Sequence, residues 1–252
     1  MISIHKVYSF ATLLLLWFLL SAWFPPSVIP GPVAVTKAVV EDLRTGEPWF
    51  HISVTILRVG LGLVLAMLLG LGVGLVMGLS RKGEIFFDSW IMIGLTVPAI
   101  VYGMICLLWF GLNNFAAVIA VGITAFPAVG INIWQGVKDI DFRLLAVGKV
   151  CRLSRRSIIW KIVVPQLVPY LLGSSRYALG ICWKICTTIE LIGLSSGVGF
   201  MLNYWFGLFS MTQVFAWTLM FLAVMLAIEF VIFRPVEKRL TAWRPAPATW
   251  KF

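Results

Sequence analysis

Charge is scarce in this chain. Only 12% of its residues are charged, and just 10 of them are acidic. A soluble domain carries about 25% charged residues, so water is excluded as the solvent for most of this surface. Histidine is nearly missing: His5 and His51 are the only two, and neither lies near Cys106, Cys151, Cys182 or Cys186 in sequence. That spacing supports no zinc site, and three of the thiols sit in apolar stretches where cysteine behaves as a small hydrophobe. The chain holds no G-x-x-x-x-G-K-[ST] phosphate loop, no G-x-S-x-G elbow and no H-E-x-x-H helix. ATP hydrolysis by the phosphate-loop route and those hydrolase chemistries are therefore not expected of it. No internal repeat stands out, which speaks against a carrier built from inverted repeats.

Apolar residues dominate instead, at 61% of the chain, with a mean hydropathy of +0.99. The hydropathy runs along the whole length, so a single membrane domain over residues 1–252 is expected rather than a soluble domain with an anchor. The formal charge of +10 sits between apolar runs rather than on one polar face. This is how membrane topology is encoded, and it does not suggest a nucleic-acid partner.

Six spans are predicted: Val7–Phe24, Ser53–Leu79, Trp90–Phe110, Phe115–Trp134, Val168–Ile189 and Val214–Phe233. The first ends in Trp23, Phe24 and Pro25 with no small-residue cleavage site, and so reads as a retained helix rather than a signal peptide. Between the prolines at 25–32 and Leu43, an amphipathic stretch with Lys37, Glu41 and Asp42 on its polar side is expected to lie along the membrane surface. In the second span, Gly70, Gly74 and Gly78 form a ladder of small residues suited to close helix packing. Most of the 20 basic residues fall on one set of loop ends, among them Arg81, Lys82, Arg143, Arg155, Arg156, Arg234 and Lys238. Those ends and both termini should therefore face the cytoplasm. Arg58, Arg176 and Glu229 lie near span ends, where each is expected to snorkel or pair.

The one long cytoplasmic loop, about 135–165, has the look of a folded element. Asp141 is placed to cap a helix through Leu144, Val147 and Val150, and Ser154 to cap a second through Ile158, Ile159 and Ile162. On the fifth span, Trp183, Thr187 and Glu190 share one helical face and Lys184 and Thr188 its neighbour, making a polar sector. That sector suits either helix–helix contacts or the lining of a pathway. The following segment, Leu191–Met211, with Ser195, Ser196 and several glycines, suits an outer gate or a docking surface.

These residues resemble a known family, the permeases of binding-protein-dependent ABC importers, in the branch for sulfonates, taurine, nitrate, bicarbonate and pyrimidine precursors. The family's loop pattern of Glu-Ala-Ala, a glycine and Ile-x-Leu-Pro falls here on Ala146, Val147 and Gly148, then Arg152, then Ile162, Val164 and Pro165. Spacing is kept, while Ala146 replaces the glutamate and Arg152 the turn glycine. Other matching residues are Pro30 and Pro32; Leu108 to Gly111; Phe126, Pro127, Asn132 and Gly136; Pro169, Gly173 and Arg176; and Gly193, Gly197, Gly199, Glu237, Arg239 and Trp243. The resemblance runs from about Pro30 to Arg244. It implies an all-α, six-span permease of the type I importer kind, one half of a homo- or heterodimeric pore in the bacterial inner membrane. Its partners would be cytoplasmic ABC ATPases, which hold the ATP and magnesium, and a periplasmic solute-binding protein. Asp141, Leu144, Ala146, Val147, Gly148, Arg152, Ser154, Ile158, Ile162 and Pro165 would then couple to the ATPase, with Trp183, Lys184, Thr187, Thr188 and Glu190 near the pathway. No catalytic residue, cofactor or metal is expected in this chain, and an ion-coupled carrier or channel is the alternative. Glycine at position 152 would tolerate positive φ. Arginine there implies a different turn, a partner for its side chain on the ATPase, or a degenerate half of a heterodimer.

Overall fold

The computed structural model describes residues 4–240, with side chains from Tyr8 onward. Trp243, Arg244 and Lys251 lie outside the described residues. Ten helices account for nearly all of this length: α1 (Ile4–Trp23), α2 (Pro32–Thr45), α3 (Glu47–Leu79), α4 (Arg81–Thr96), α5 (Ala99–Phe110), α6 (Asn114–Lys138), α7 (Phe142–Val150), α8 (Arg155–Gly193), α9 (Val198–Gly207) and α10 (Met211–Leu240). No strand occurs among the described residues.

Four of these, α3, α6, α8 and α10, are long and apolar enough to cross a membrane, and α4 with α5 makes a fifth if the pair counts as one broken span. This corrects one of the six expected spans. Trp90–Phe110 is not one straight helix, because α4 and α5 meet at a 95° bend. Pro98 brings no N–H to a helical ladder and holds the residue before it extended, and Val97 adopts φ −65° and ψ 128°. The first expected span lies on α1, a 20-residue helix whose described apolar part is Tyr8–Trp23.

The chain forms two compact units, one of residues up to Leu57 with Thr187–Leu226, the other of Arg58–Cys186 with the residues from Ala227 on. In the second, the glycine ladder of α3 does what its spacing implies. A Cβ on Gly74 would lie 2.6 Å from the Gly130 carbonyl oxygen and 2.7 Å from Ile133 Cβ, and Gly70 and Gly78 press on Val129 and Val137 equally closely. Helices α3 and α6 therefore touch along their backbones, as small residues permit in lipid. Val129, Ile133, Val137, Leu167 and Ala178 form the core at this contact.

Charges near the span ends are paired, as expected. Arg58, 3% exposed, donates to Asn114 Oδ1 from Nε at 2.9 Å and from Nη2 at 2.6 Å. Arg176 reaches Glu229 at 2.8 Å and Glu237 at 2.9 Å. Two π-helical turns interrupt the long helices, Ile159–Val163 in α8 and Glu229–Phe233 in α10. Each ends one residue before a proline's neighbour, with Pro165 and Pro235 two positions on. A proline ring collides with the carbonyl one turn back, and a wider turn moves that carbonyl aside.

Candidate functional site: the loop between α6 and α8 and the polar residues of α8

The Asp141–Pro165 segment is built as a stiff element, all within the second unit. Asp141 caps α7, its Oδ1 accepting from Arg143 N at 2.8 Å, while its own N–H donates to Gln166 Oε1 at 2.9 Å. Tyr170 Oη donates to Asp139 Oδ2 at 2.6 Å, and Lys138 bridges to Glu84 at 2.6 Å. Ser154 caps the next helix by accepting from Ser157 N at 3.2 Å. Both caps lie where the sequence places them. The second short helix, however, does not stop. It passes through the π turn and Pro165 into α8, a continuous 39 residues, so a push on this loop is delivered directly to a membrane helix.

Between the two helices the chain makes a Schellman turn. Leu153 N donates to Gly148 O at 3.0 Å and Arg152 N to Lys149 O at 2.9 Å. Arg152 occupies the left-handed position, with φ 51°, where glycine is usual because it has no Cβ to collide. The turn is thus the left-handed one that a glycine would make, and arginine bears the strain. Gly148, Ile158 and Ile162 face one another, a Cβ at Gly148 meeting Ile162 Cδ1 at 2.9 Å. Leu144, Val147, Val150 and Ile159 point outward, with Val150 83% and Phe142 73% exposed. Ala146 is exposed beside them. The result is an open apolar face on a segment that also exposes Arg143, Lys149, Arg152, Arg155, Arg156 and Lys161.

Replacing Arg152 with glycine is expected to stabilise this turn by about 1 kcal/mol. Hydrogen exchange over 147–153 should slow about fivefold. Unchanged exchange would contradict the strain.

The polar sector of α8 divides. Trp183 and Lys184 belong to the second unit, Thr187, Thr188 and Glu190 to the first. Trp183 is buried, whereas Lys184 is exposed and lines a groove of about 390 Å³ with Thr96, Pro98, Thr124 and Tyr177. This groove lies against the bend between α4 and α5. Thr187 and Thr188 are half-buried.

Glu190, at 0% exposure, is the hub of a network that local sequence patterns do not reveal. Thr55 Oγ1 lies 2.9 and 3.0 Å from its two carboxylate oxygens and donates its hydroxyl proton to them. Gly199 N donates to Glu190 Oε2 at 2.9 Å. Val198 N donates to Thr55 Oγ1 at 2.9 Å, and Gly197 N to His51 Nδ1 at 3.0 Å. Gly197 has φ 111°, and any Cβ there would run into the Glu190 carboxylate. His51 stacks on Phe200 and meets Trp217 edge-on. A charged span residue followed by closely spaced glycines was the only signal for this knot.

Spans that bury their polar groups in pairs, a capped loop continuous with a membrane helix, and a cation in a groove at a broken span together define a membrane-embedded transport subunit. Comparison with known proteins makes the family explicit: residues 62–241 match the binding-protein-dependent transport system inner membrane component, and the chain belongs to that family. An aliphatic sulfonates transport permease protein of Bacillus subtilis is 32% identical over 86% of this chain and 79% of its own length. The taurine transport system permease protein of Escherichia coli is 27% identical over 92% and 87%. The nitrate import permease protein of Synechococcus elongatus is 28% identical over 75% and 71%. Among solved structures, an inward-facing MetNI methionine ABC transporter chain matches with a TM-score of 0.64 at 15% identity, over 74% of this chain and 93% of that one. The chain is a permease subunit of a binding-protein-dependent ABC importer, and the ion-coupled carrier finds no support.

Proposed function

We propose that the whole chain works as one permease domain, half of a dimeric pore in the bacterial inner membrane, and that it imports a small organic or inorganic anion of the sulfonate, taurine or nitrate kind. Both termini and the Asp141–Pro165 loop are cytoplasmic in this reading. Separate ATPase subunits, carrying ATP and magnesium, dock on the open apolar face of α7 with its basic residues. A binding protein delivers the solute on the other side.

The observation that carries the reading is the loop itself. It is capped at Asp141 and Ser154, anchored through Tyr170 and Gln166, and continuous with α8. An ATPase moves membrane helices only through differential contact with a rigid element, and this is the segment built to receive it. The anion follows from the names of the relatives and from Lys184 in its groove.

The native cysteines provide the test. Cys151 is exposed at the end of α7, while Cys106, Cys182 and Cys186 are buried. A membrane-impermeant maleimide should label Cys151 in inverted vesicles and leave it unlabelled in intact cells. Labelling from outside would end the reading, since the coupling loop must face ATP.

A further inference from the structure

The first unit carries an apolar cleft and a charged groove on α2 that the transport reading above does not draw on. One face of α2 is buried, with Val35 and Ala38 packed beside Ala216. Beside that contact a cleft of about 370 Å³ opens, lined by Val39, Leu43, Trp49, Ile52, Met220 and Ala223. Its only polar lining residue is Thr36, whose hydroxyl is turned to the Pro32 carbonyl at 2.5 Å. Thr36 also lines a second groove, with Lys37, Glu41 and Arg44, so the two adjoin at this residue.

Lys37, Glu41 and Arg44 are spaced four and three apart and share one helical face. All three are exposed, and no ion pair joins them among the described residues. Asp42 is turned away from this groove: Gln213 Nε2 donates to it at 3.4 Å, and burial pushes its carboxyl above the usual range. Glu41 is thus the acid of the groove, set between two cations.

We infer that the apolar cleft and the charged groove together hold one phospholipid with an ethanolamine headgroup. The phosphate lies between Lys37 and Arg44, the ammonium meets Glu41, and an acyl chain fills the cleft. Length fits: Ala223 lies about 18 Å along α10 from Met211 at 1.5 Å per residue, close to the ~15 Å of one leaflet's hydrocarbon. The bilayer solvates an acyl chain as well as the cleft does, so chain burial gives no preference. Selectivity rests on the headgroup, where a plus–minus–plus array suits a zwitterion with a primary ammonium donor. A purely anionic lipid would satisfy Lys37 and Arg44 but bring no donor to Glu41.

The test is native mass spectrometry of the full chain equilibrated with equal amounts of ethanolamine, choline and glycerol phospholipids of identical acyl chains. One ethanolamine lipid should be retained, enriched about tenfold over the other two. Glu41→Gln should turn the preference toward the anionic glycerol lipid, and Lys37→Gln with Arg44→Gln should abolish headgroup selectivity. These positions are exposed, so the variants leave the packed core untouched. Ala223→Trp should displace the lipid altogether. Retention of the three lipids in proportion to supply, an unchanged preference in Glu41→Gln, or undiminished retention in Ala223→Trp would overturn the assignment.

Discussion

Replacing Glu190 with leucine should loosen the segment 194–201 and collapse the stability of the first unit. The carboxylate accepts from Thr55 Oγ1 and Gly199 N in a site with no solvent exposure. Leucine fills a similar volume and accepts nothing, so the buried Gly199 amide loses its partner at about 1–3 kcal/mol, while Thr55 keeps only the His51 carbonyl as acceptor. A loss of about 2 kcal/mol corresponds to roughly 30-fold faster hydrogen exchange over the segment, with a matching fall in thermal midpoint. Glu190→Gln is the control. Its amide oxygen still accepts from Gly199, and its NH2 donates to Thr55, which turns its own proton to the His51 carbonyl at 3.2 Å. The glutamine variant should stay close to wild type. A leucine variant that melts and exchanges as wild type does would show that the network holds nothing together.

The second large effect is on transport rather than folding. Lys184→Glu should lower uptake of an anionic solute by ~100-fold or more while assembly and thermal stability stay unchanged. Lys184 is exposed in the groove beside the bend after Thr96. A unit charge at 4 Å is worth about 4 kcal/mol at an effective dielectric of 20, and reversal turns that attraction into repulsion. Lys184→Arg keeps the sign and should retain most of the activity, and Thr124→Ala should have a smaller effect. Wild-type uptake by Lys184→Glu would remove the groove from the pathway. Loss of assembly instead would make Lys184 a structural residue.

Hydropathy located every long helix, because an apolar run needs no partner to announce itself. It did not see the bend at Val97–Pro98: a sliding window averages over a proline, although Pro98 itself was the signal. The boundary between the loop, ending near 165, and the span from Val168 was drawn too sharply, since the π turn before Pro165 lets one helix run through. The loop was the most legible part of the site. Caps at Asp141 and Ser154 are local properties, written in residue type and spacing, whereas the left-handed turn at Arg152 runs against its residue type and came only from the fold. Which side Leu144, Val147 and Val150 present emerged only from the fold, because spacing places apolar residues on a helix without saying what covers them. The Glu190 network was invisible for the plainest reason: Thr55 is 135 residues from Glu190 in sequence. Arg58 and Arg176 show the same limit. Their need for partners was evident from depth, while Asn114, Glu229 and Glu237 emerged only from the fold.

The central claim is that this chain moves an anion only when an ATPase works on its loop. The most direct measurement is uptake of labelled taurine, an alkanesulfonate or nitrate into proteoliposomes that contain the permease with its ATPase. ATP is supplied on the ATPase side and the binding protein on the other. Uptake should require both, and it should be lost when Val147 on the open face of α7 is replaced by aspartate. Uptake by the permease alone, driven by a proton or sodium gradient without ATP, would contradict the claim.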